Sequence, residues 1–99
     1  MNKTLATLSL ARRAGKLAIG FTATKNALML NQVSVLVTTK DISPGTKEKI
    51  VRLAKEIPTA EIPYTSSDIE EVMKRKFVVA AITDKNFKEL FRGTLKGDI

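Results

Sequence analysis

The chain has 99 residues, 43% hydrophobic and 27% charged, with a net charge of +7. That is one domain of ordinary size, too apolar for disorder and without the run of eighteen apolar residues that a membrane span needs. It contains no Cys and no His, which removes disulfides, thiolate metal sites and the commonest general base together. The first residues lack the apolar stretch and small-residue cleavage site of a signal peptide, so a cytoplasmic protein is expected, with residues 1–99 as a single domain.

Thr4 to Ala14 reads as a helix, with Leu5, Leu8 and Arg12 on one stripe, Ala6, Leu10 and Ala14 beside it, and Gly15 in the place of a left-handed C-terminal residue. Leu17-Ala18-Ile19 is a short apolar strand closed by Gly20. Thr22 is expected to cap a second helix running to Leu30, with Ala23, Ala27 and Leu30 along one face and Asn31 as its terminator. Val33 to Thr38 is a β-branched strand. Ser43 followed by Pro44 is an N-cap with proline at the first helical position. The helix after it carries Ile50, Leu53, Ala54 and Ile57 on one face, and Pro58 stops it. Ala60 to Tyr64 is a short strand that Pro63 confines to a sheet edge. Ser67-Asp68-Ile69-Glu70 spells a capping box for a helix of about two turns. Phe77 to Thr83 is apolar throughout, as a strand covered on both faces is. A last helix opens at Asp84 and buries Phe87, Leu90 and Phe91. Helix and strand alternate, which predicts an α/β fold: a mainly parallel or mixed sheet between two layers of helices, a three-layer sandwich.

The charge is unevenly spread. Residues 1–40 hold Lys3, Arg12, Arg13, Lys16, Lys25 and Lys40 without one acid, whereas residues 41–99 are nearly balanced. Such a single-sign segment points to a polyanionic partner rather than to a solvated mixed surface. A membrane surface fits less well, because the first helix is needed for core packing. Enzyme signatures are missing: the stretches Gly20 to Lys25 and Gly45 to Lys47 lack the second glycine and the ending of a phosphate-binding loop. Asp41 and Asp84 follow strands but fit as a turn residue and a helix cap, and the adjacent Glu70 and Glu71 cannot face each other on a helix. No cofactor, metal or small-molecule substrate is therefore expected. The spelling Ala11 to Gly15 suits a helix-turn-helix, but Gly20 interrupts the would-be recognition helix. What remains is the Gly20–Thr22 turn into the second helix. Its free backbone N–H groups attract phosphate, Gly20 allows close approach, and Lys25 and Asn26 lie one turn further on.

Three blocks extend that reading: Leu10 to Gly20 (LARRAGKLAIG), Lys40 to Lys47 (KDISPGTK) and Val78 to Phe87 (VVAAITDKNF). They resemble the small bacterial YlxQ-type proteins of the ribosomal L-seven-Ae/L-thirty-e superfamily of kink-turn RNA binders. The resemblance implies an α-β-α sandwich around a four-stranded mixed sheet. It also implies RNA contact through the start of the second helix and through an apolar loop before the last strand. On this chain Lys16 and Gly20 match the family's Gly-Lys and turn glycine. Thr22 and Ala23 stand where members carry Asn and Glu against sheared G·A pairs, and Asn26 stands where they carry Lys, with Lys25 beside it. The second contact corresponds to Ile69 to Met73, where the family's glycines are lost. The expectation is a non-enzymatic protein that grips structured, bent RNA, with the ribosome one candidate partner. Arg13, Lys16 and Lys25 would take phosphates, Gly20, Thr22 and Asn26 the backbone or base edges, and Val72 and Met73 splayed bases. The alternatives are an adaptor whose basic face meets an acidic protein and, less favoured, a stand-alone binding domain of an RNA-modifying enzyme.

Overall fold

Glycine, proline and hydroxyl residues punctuate this chain, and its elements begin and end on them. In a computed structural model, which describes residues 3–84, the order is α1 (Lys3–Arg13), β1 (Leu17–Ile19), α2 (Phe21–Met29), β2 (Val35–Thr38), α3 (Pro44–Ala54), β3 (Thr59–Glu61), α4 (Ser66–Met73) and β4 (Val79–Ile82). The strands lie in the order β1-β4-β2-β3, with β2 parallel to β3 and β4 antiparallel to both β1 and β2. This is the expected four-stranded mixed sheet, with β3 at one edge. The expected last helix, with Phe87, Leu90 and Phe91, lies outside the described residues.

Side-chain alternation along the central strands divides the core in two. Val35, Val37, Ala80 and Ile82 meet Leu5 and Leu8 of α1 and Ile69 and Met73 of α4. Leu36, Val79 and Ala81 meet Ala27 and Leu28 of α2 and Ile50 and Ala54 of α3. Helices α1 and α4 therefore cover one face and α2 and α3 the other, and β4 is buried along its whole length.

Both helices next to β1 end by the same device. After α1, Gly15 at φ 72 donates to the Arg12 carbonyl and Lys16 to that of Ala11; after α2, Asn31 at φ 56 donates to Leu28 and Gln32 to Ala27. These are Schellman closures, and Gly15 adopts its left-handed conformation without a Cβ penalty. The cap of α2 differs from expectation. Gly20, at φ 95 and ψ 166, is the N-cap, and Thr22 is already the second helical residue. Glycine's freedom lets the chain leave β1 and begin the helix at once, with Thr24 donating to the Gly20 carbonyl at 3.0 Å. Ser43 caps α3 as read, accepting from the Thr46 N–H with Pro44 at the first position. Helix α3 stops at Ala54, three residues before the expected end, because Lys55 turns to φ 54. The capping box of α4 is Thr65 with Asp68, not Ser67 with Glu70: Thr65 Oγ1 accepts from the Asp68 N–H at 3.2 Å and Asp68 Oδ2 from the Thr65 N–H at 3.0 Å. Apolar faces shift too, since Thr24 and Leu28 are buried where Ala23 and Leu30 were expected, and Leu10, Leu30 and Leu53 are exposed.

Asp41 is the turn residue that the sequence suggests, and it clamps two elements. Its carboxylate accepts from the Ser66 hydroxyl at 2.6 Å, the Ser66 N–H at 2.8 Å and the Thr39 hydroxyl at 2.7 Å, tying the end of β2 to the start of α4. The Ser66 hydroxyl first, then that of Thr39, hold its pKa down at about 2, from an ordinary 3.8. A depressed carboxyl stabilises the fold above its unfolded pKa and loses that contribution as pH falls through the folded one. The expected result is a part of wild-type stability that disappears between about pH 4 and 2 and is missing from Asp41→Ala. That variant loses about 1 kcal/mol at neutral pH. Urea unfolding of both proteins from pH 2 to 7 checks this, and parallel pH profiles would contradict it.

Candidate nucleic-acid interface

Strand β1 is the outer strand on one side of the sheet, with α1 leading into it and α2 leaving it. Its two ends are fixed by β4: the Gly20 N–H donates to the Val79 carbonyl at 2.9 Å, and the Thr83 N–H to the Lys16 carbonyl at 3.0 Å. Lys16 and Gly20 are therefore about 13 Å apart along the strand, at roughly 3.3 Å per residue. The cations of residues 1–40 do not all converge on the Gly20 corner. Lys16 lies at the far end of β1, with its Nζ 3.9 Å from Asp84 Oδ2, a long pair between an exposed lysine and a half-buried aspartate.

The start of α2 is built unlike the starts of α3 and α4. Ser43 and Thr65 cap those helices, but Gly20 offers no side chain, and the first turn of α2, like that of α3, contains no acid. The first N–H groups of α2 have no capping side chain among the described residues, and they carry the positive end of the helix dipole. Thr22, Lys25 and Asn26, at i, i+3 and i+4, form one exposed stripe beside that end. No acid among the described residues pairs with Lys25. Lys25 is the fifth of the nine residues of α2, one turn in from that start, and its ammonium is left to solvent or to a ligand. Asn26 also lines a groove of about 380 Å³ that runs past Gly15 and Leu17 to Leu30 and Gln32.

The remaining expected residues lie elsewhere. Arg13, Val72 and Met73 line a second groove of about 460 Å³ with Ser9 and Arg12, and these residues belong to α1 and α4, on the other face of the sheet from α2. Met73 is 4% exposed and packs in the core, so it offers no surface to an unstacked base. Val72 is half-buried. The stretch Ile69 to Met73 is helix rather than loop, because without glycines α4 continues to Met73. Sequence reading passed over Lys74, Arg75 and Lys76, all exposed. Their only signal was three consecutive cations, masked by Glu70 and Glu71 just before them.

Asp41 is engaged by Ser66 and Thr39, and Asp84 lies against Lys16. A third groove of about 590 Å³, beside the start of α3, is lined by Lys40, Lys47 and Glu61 among others, and Lys47 is ion-paired with Glu61. Among the described residues no three His, Cys, Asp or Glu side chains are grouped to hold a metal ion. None of the described helices is long and apolar enough to cross a membrane.

Two solved structures share this architecture. A protein of unknown function from Bacillus halodurans superposes with a TM-score of 0.85 at 22% identity, over 97% of this chain and 99% of that one. The Giardia lamblia 15.5kD RNA binding protein superposes with a TM-score of 0.74 at 9% identity, over 98% and 88%. No curated protein matches the sequence. At these identities the structural likeness carries the fold alone. The family itself follows from the sequence: the model of the Ribosomal protein L7Ae/L30e/S12e/Gadd45 family matches residues 2–91, nearly the whole chain, and the protein belongs to that family.

Proposed function

We propose that this protein is a cytoplasmic, non-enzymatic RNA-binding protein that seats a sharply bent, kink-turn-like RNA at the start of α2. The observation that carries the reading is the first turn of α2, which has neither an acid of its own nor a capping side chain among the described residues, with exposed Thr22, Lys25 and Asn26 on one stripe running from it. A phosphate would complete that helix start. Membership of the family and the RNA binding named for the Giardia lamblia relative support it. Gly20 lets a sugar-phosphate chain come close, Thr22 and Asn26 reach the backbone or base edges, Lys25 neutralises a phosphate, and Lys16 meets the chain further along β1. With Thr22 and Ala23 in place of an Asn-Glu pair, shape and phosphate contacts carry more of the recognition than base edges do. Ribosomal RNA is the bent RNA to try first.

Titration of a bent RNA with tandem G·A pairs, over a range of salt, tests the reading. Three to five phosphate contacts give a log–log slope of roughly −2 to −4.5. Thr22→Asn with Ala23→Glu is expected to raise the preference for the G·A RNA over a straight duplex by about tenfold, since one well-placed base-edge pair contributes about 1–3 kcal/mol. Salt-independent binding, or no gain from the double variant, counts against this contact face. A clean 280 nm spectrum of protein purified without nuclease, together with a stable acidic protein partner, favours the adaptor reading instead.

A further inference from the structure

The sheet has two outer strands, and the chain treats their free edges differently. Strand β3 is fenced: Pro58 precedes it, Pro63 follows shortly after it, and its last residue, Glu61, is exposed. Prolines and charges of this kind keep an edge from pairing with another chain. Strand β1 carries neither within Leu17–Ile19, and Lys16 is the only charge from Gly15 to Thr24. The bonds that its two ends make with β4 fix its parity. Lys16, Ala18 and Gly20 face β4, so the N–H and C=O groups of Leu17 and Ile19 point away from the sheet. No described strand pairs with that side of β1. Beside it runs the groove of about 380 Å³, lined by Gly15, Ala18, Ala27, Leu30 and Gln32 among others. Leu30 and its neighbour Met29, at the end of α2, are 66% and 68% exposed.

A lone exposed leucine needs no account, but this one closes a groove along an unpaired strand. We propose that the free edge of β1 binds an extended, acidic peptide segment of a partner protein, which adds a strand to the sheet and lays apolar side chains along the α2 groove. The edge presents donors and acceptors at the spacing of a polypeptide backbone, which a ribose-phosphate chain cannot match, and Leu30 offers contact to an apolar side chain. Charge sets the sign of the partner. Lys16 stands at the Gly15 end of the groove, Lys25 precedes Asn26 on its α2 wall, and residues 1–40 contain no acid. A second copy of the chain would bring the same +7 to the same edge, so self-pairing is opposed by repulsion. The peptide takes the open side of β1 and leaves the start of α2 to RNA, with Asn26 at the border of the two.

The experiment uses the full chain and an end-blocked peptide in which glutamate and valine alternate. Its controls are the same peptide with lysine for glutamate and the same peptide methylated on its backbone nitrogens. Hydrogen exchange read by NMR is expected to slow at the Leu17 and Ile19 amides by about tenfold or more when the peptide saturates. Ala18 and Gly20, which already face β4, change little. The lysine peptide is expected to bind about tenfold more weakly, and the methylated one, without donors, gives no protection. Leu30→Glu, at an exposed position, is expected to weaken the acidic peptide by about tenfold. Circular dichroism confirms that this variant folds, and its affinity for bent RNA stays that of wild type. The proposal is overturned if wild type does not bind the peptide, or binds it without protecting Leu17 and Ile19. It is overturned in favour of a second copy if protein concentration alone protects those amides, and in favour of RNA if the bent RNA protects them and the peptide does not.

Discussion

Lys25→Glu is expected to weaken RNA binding by more than tenfold at 0.1 M salt while leaving the protein as stable as before. One phosphate contact contributes a factor of about 5 to 8 at that salt concentration, so Lys25→Ala removes that much, and reversing the charge adds repulsion. Stability is expected to hold because Lys25 is exposed in the middle of α2, the fifth of its nine residues, outside the end turns where the dipole acts, and pairs with no acid among the described residues. An exposed substitution of that kind changes stability by less than about 0.5 kcal/mol. A loss of binding without a loss of stability is the mark of a side chain retained for a ligand. The measurement is a fluorescence anisotropy titration beside a denaturant melt of both proteins. A variant that binds as wild type does would remove the α2 start from the interface. One that binds weakly because it is less stable would give Lys25 a structural role.

The largest loss of stability is expected from Leu8→Ala. Leu8 is fully buried, in the layer where α1 meets Val35, Val37 and Ile82 of the sheet and Ile69 of α4. Removing its side chain costs the transfer free energy of the buried carbons and leaves a cavity, together about 2–5 kcal/mol. Against a domain stability of about 5–15 kcal/mol that is a large fraction, and Tm should fall by on the order of 10–30 °C. Leu10→Ala, two residues along the same helix but half exposed, should change stability by less than about 1 kcal/mol. Differential scanning calorimetry of the two variants checks the orientation of α1. Equal effects would mean that the helix is rotated from the position described here. Because Arg12 and Arg13 ride on α1, that orientation also decides whether they reach the end of α4.

Most elements were legible in the chain because their signals are local. Gly15 and Asn31 close their helices through the residues next to them, Ser43-Pro44 starts α3 by itself, and the apolar run around Val79–Ile82 needs both of its faces covered wherever the strand is placed. Boundaries moved where two neighbouring residues could serve the same purpose. Gly20 displaced Thr22 as the cap of α2 because its backbone could turn sooner, and Thr65 displaced Ser67 because Asp41 holds Ser66 by its N–H and hydroxyl as the first helical residue.

Composition and local pattern also made the α/β alternation and the basic first forty residues plain, and the Gly20 corner stood out as a seat for an anion. They were silent on direction. Whether two cations near each other in sequence face the same way depends on which side of the sheet their helices cover, and that follows from strand order and side-chain parity, which are properties of long-range pairing. Packing placed Arg13 and Lys25 on helices that cover opposite faces of the sheet, set Lys16 at the far end of β1 beside Asp84, and used the Arg12 side chain to tie α1 to the end of α4 at Met73. Charge adds up along a chain, but an electrostatic field depends on where each charge points, and only the folded arrangement of β1, α1, α2 and α4 sets those directions.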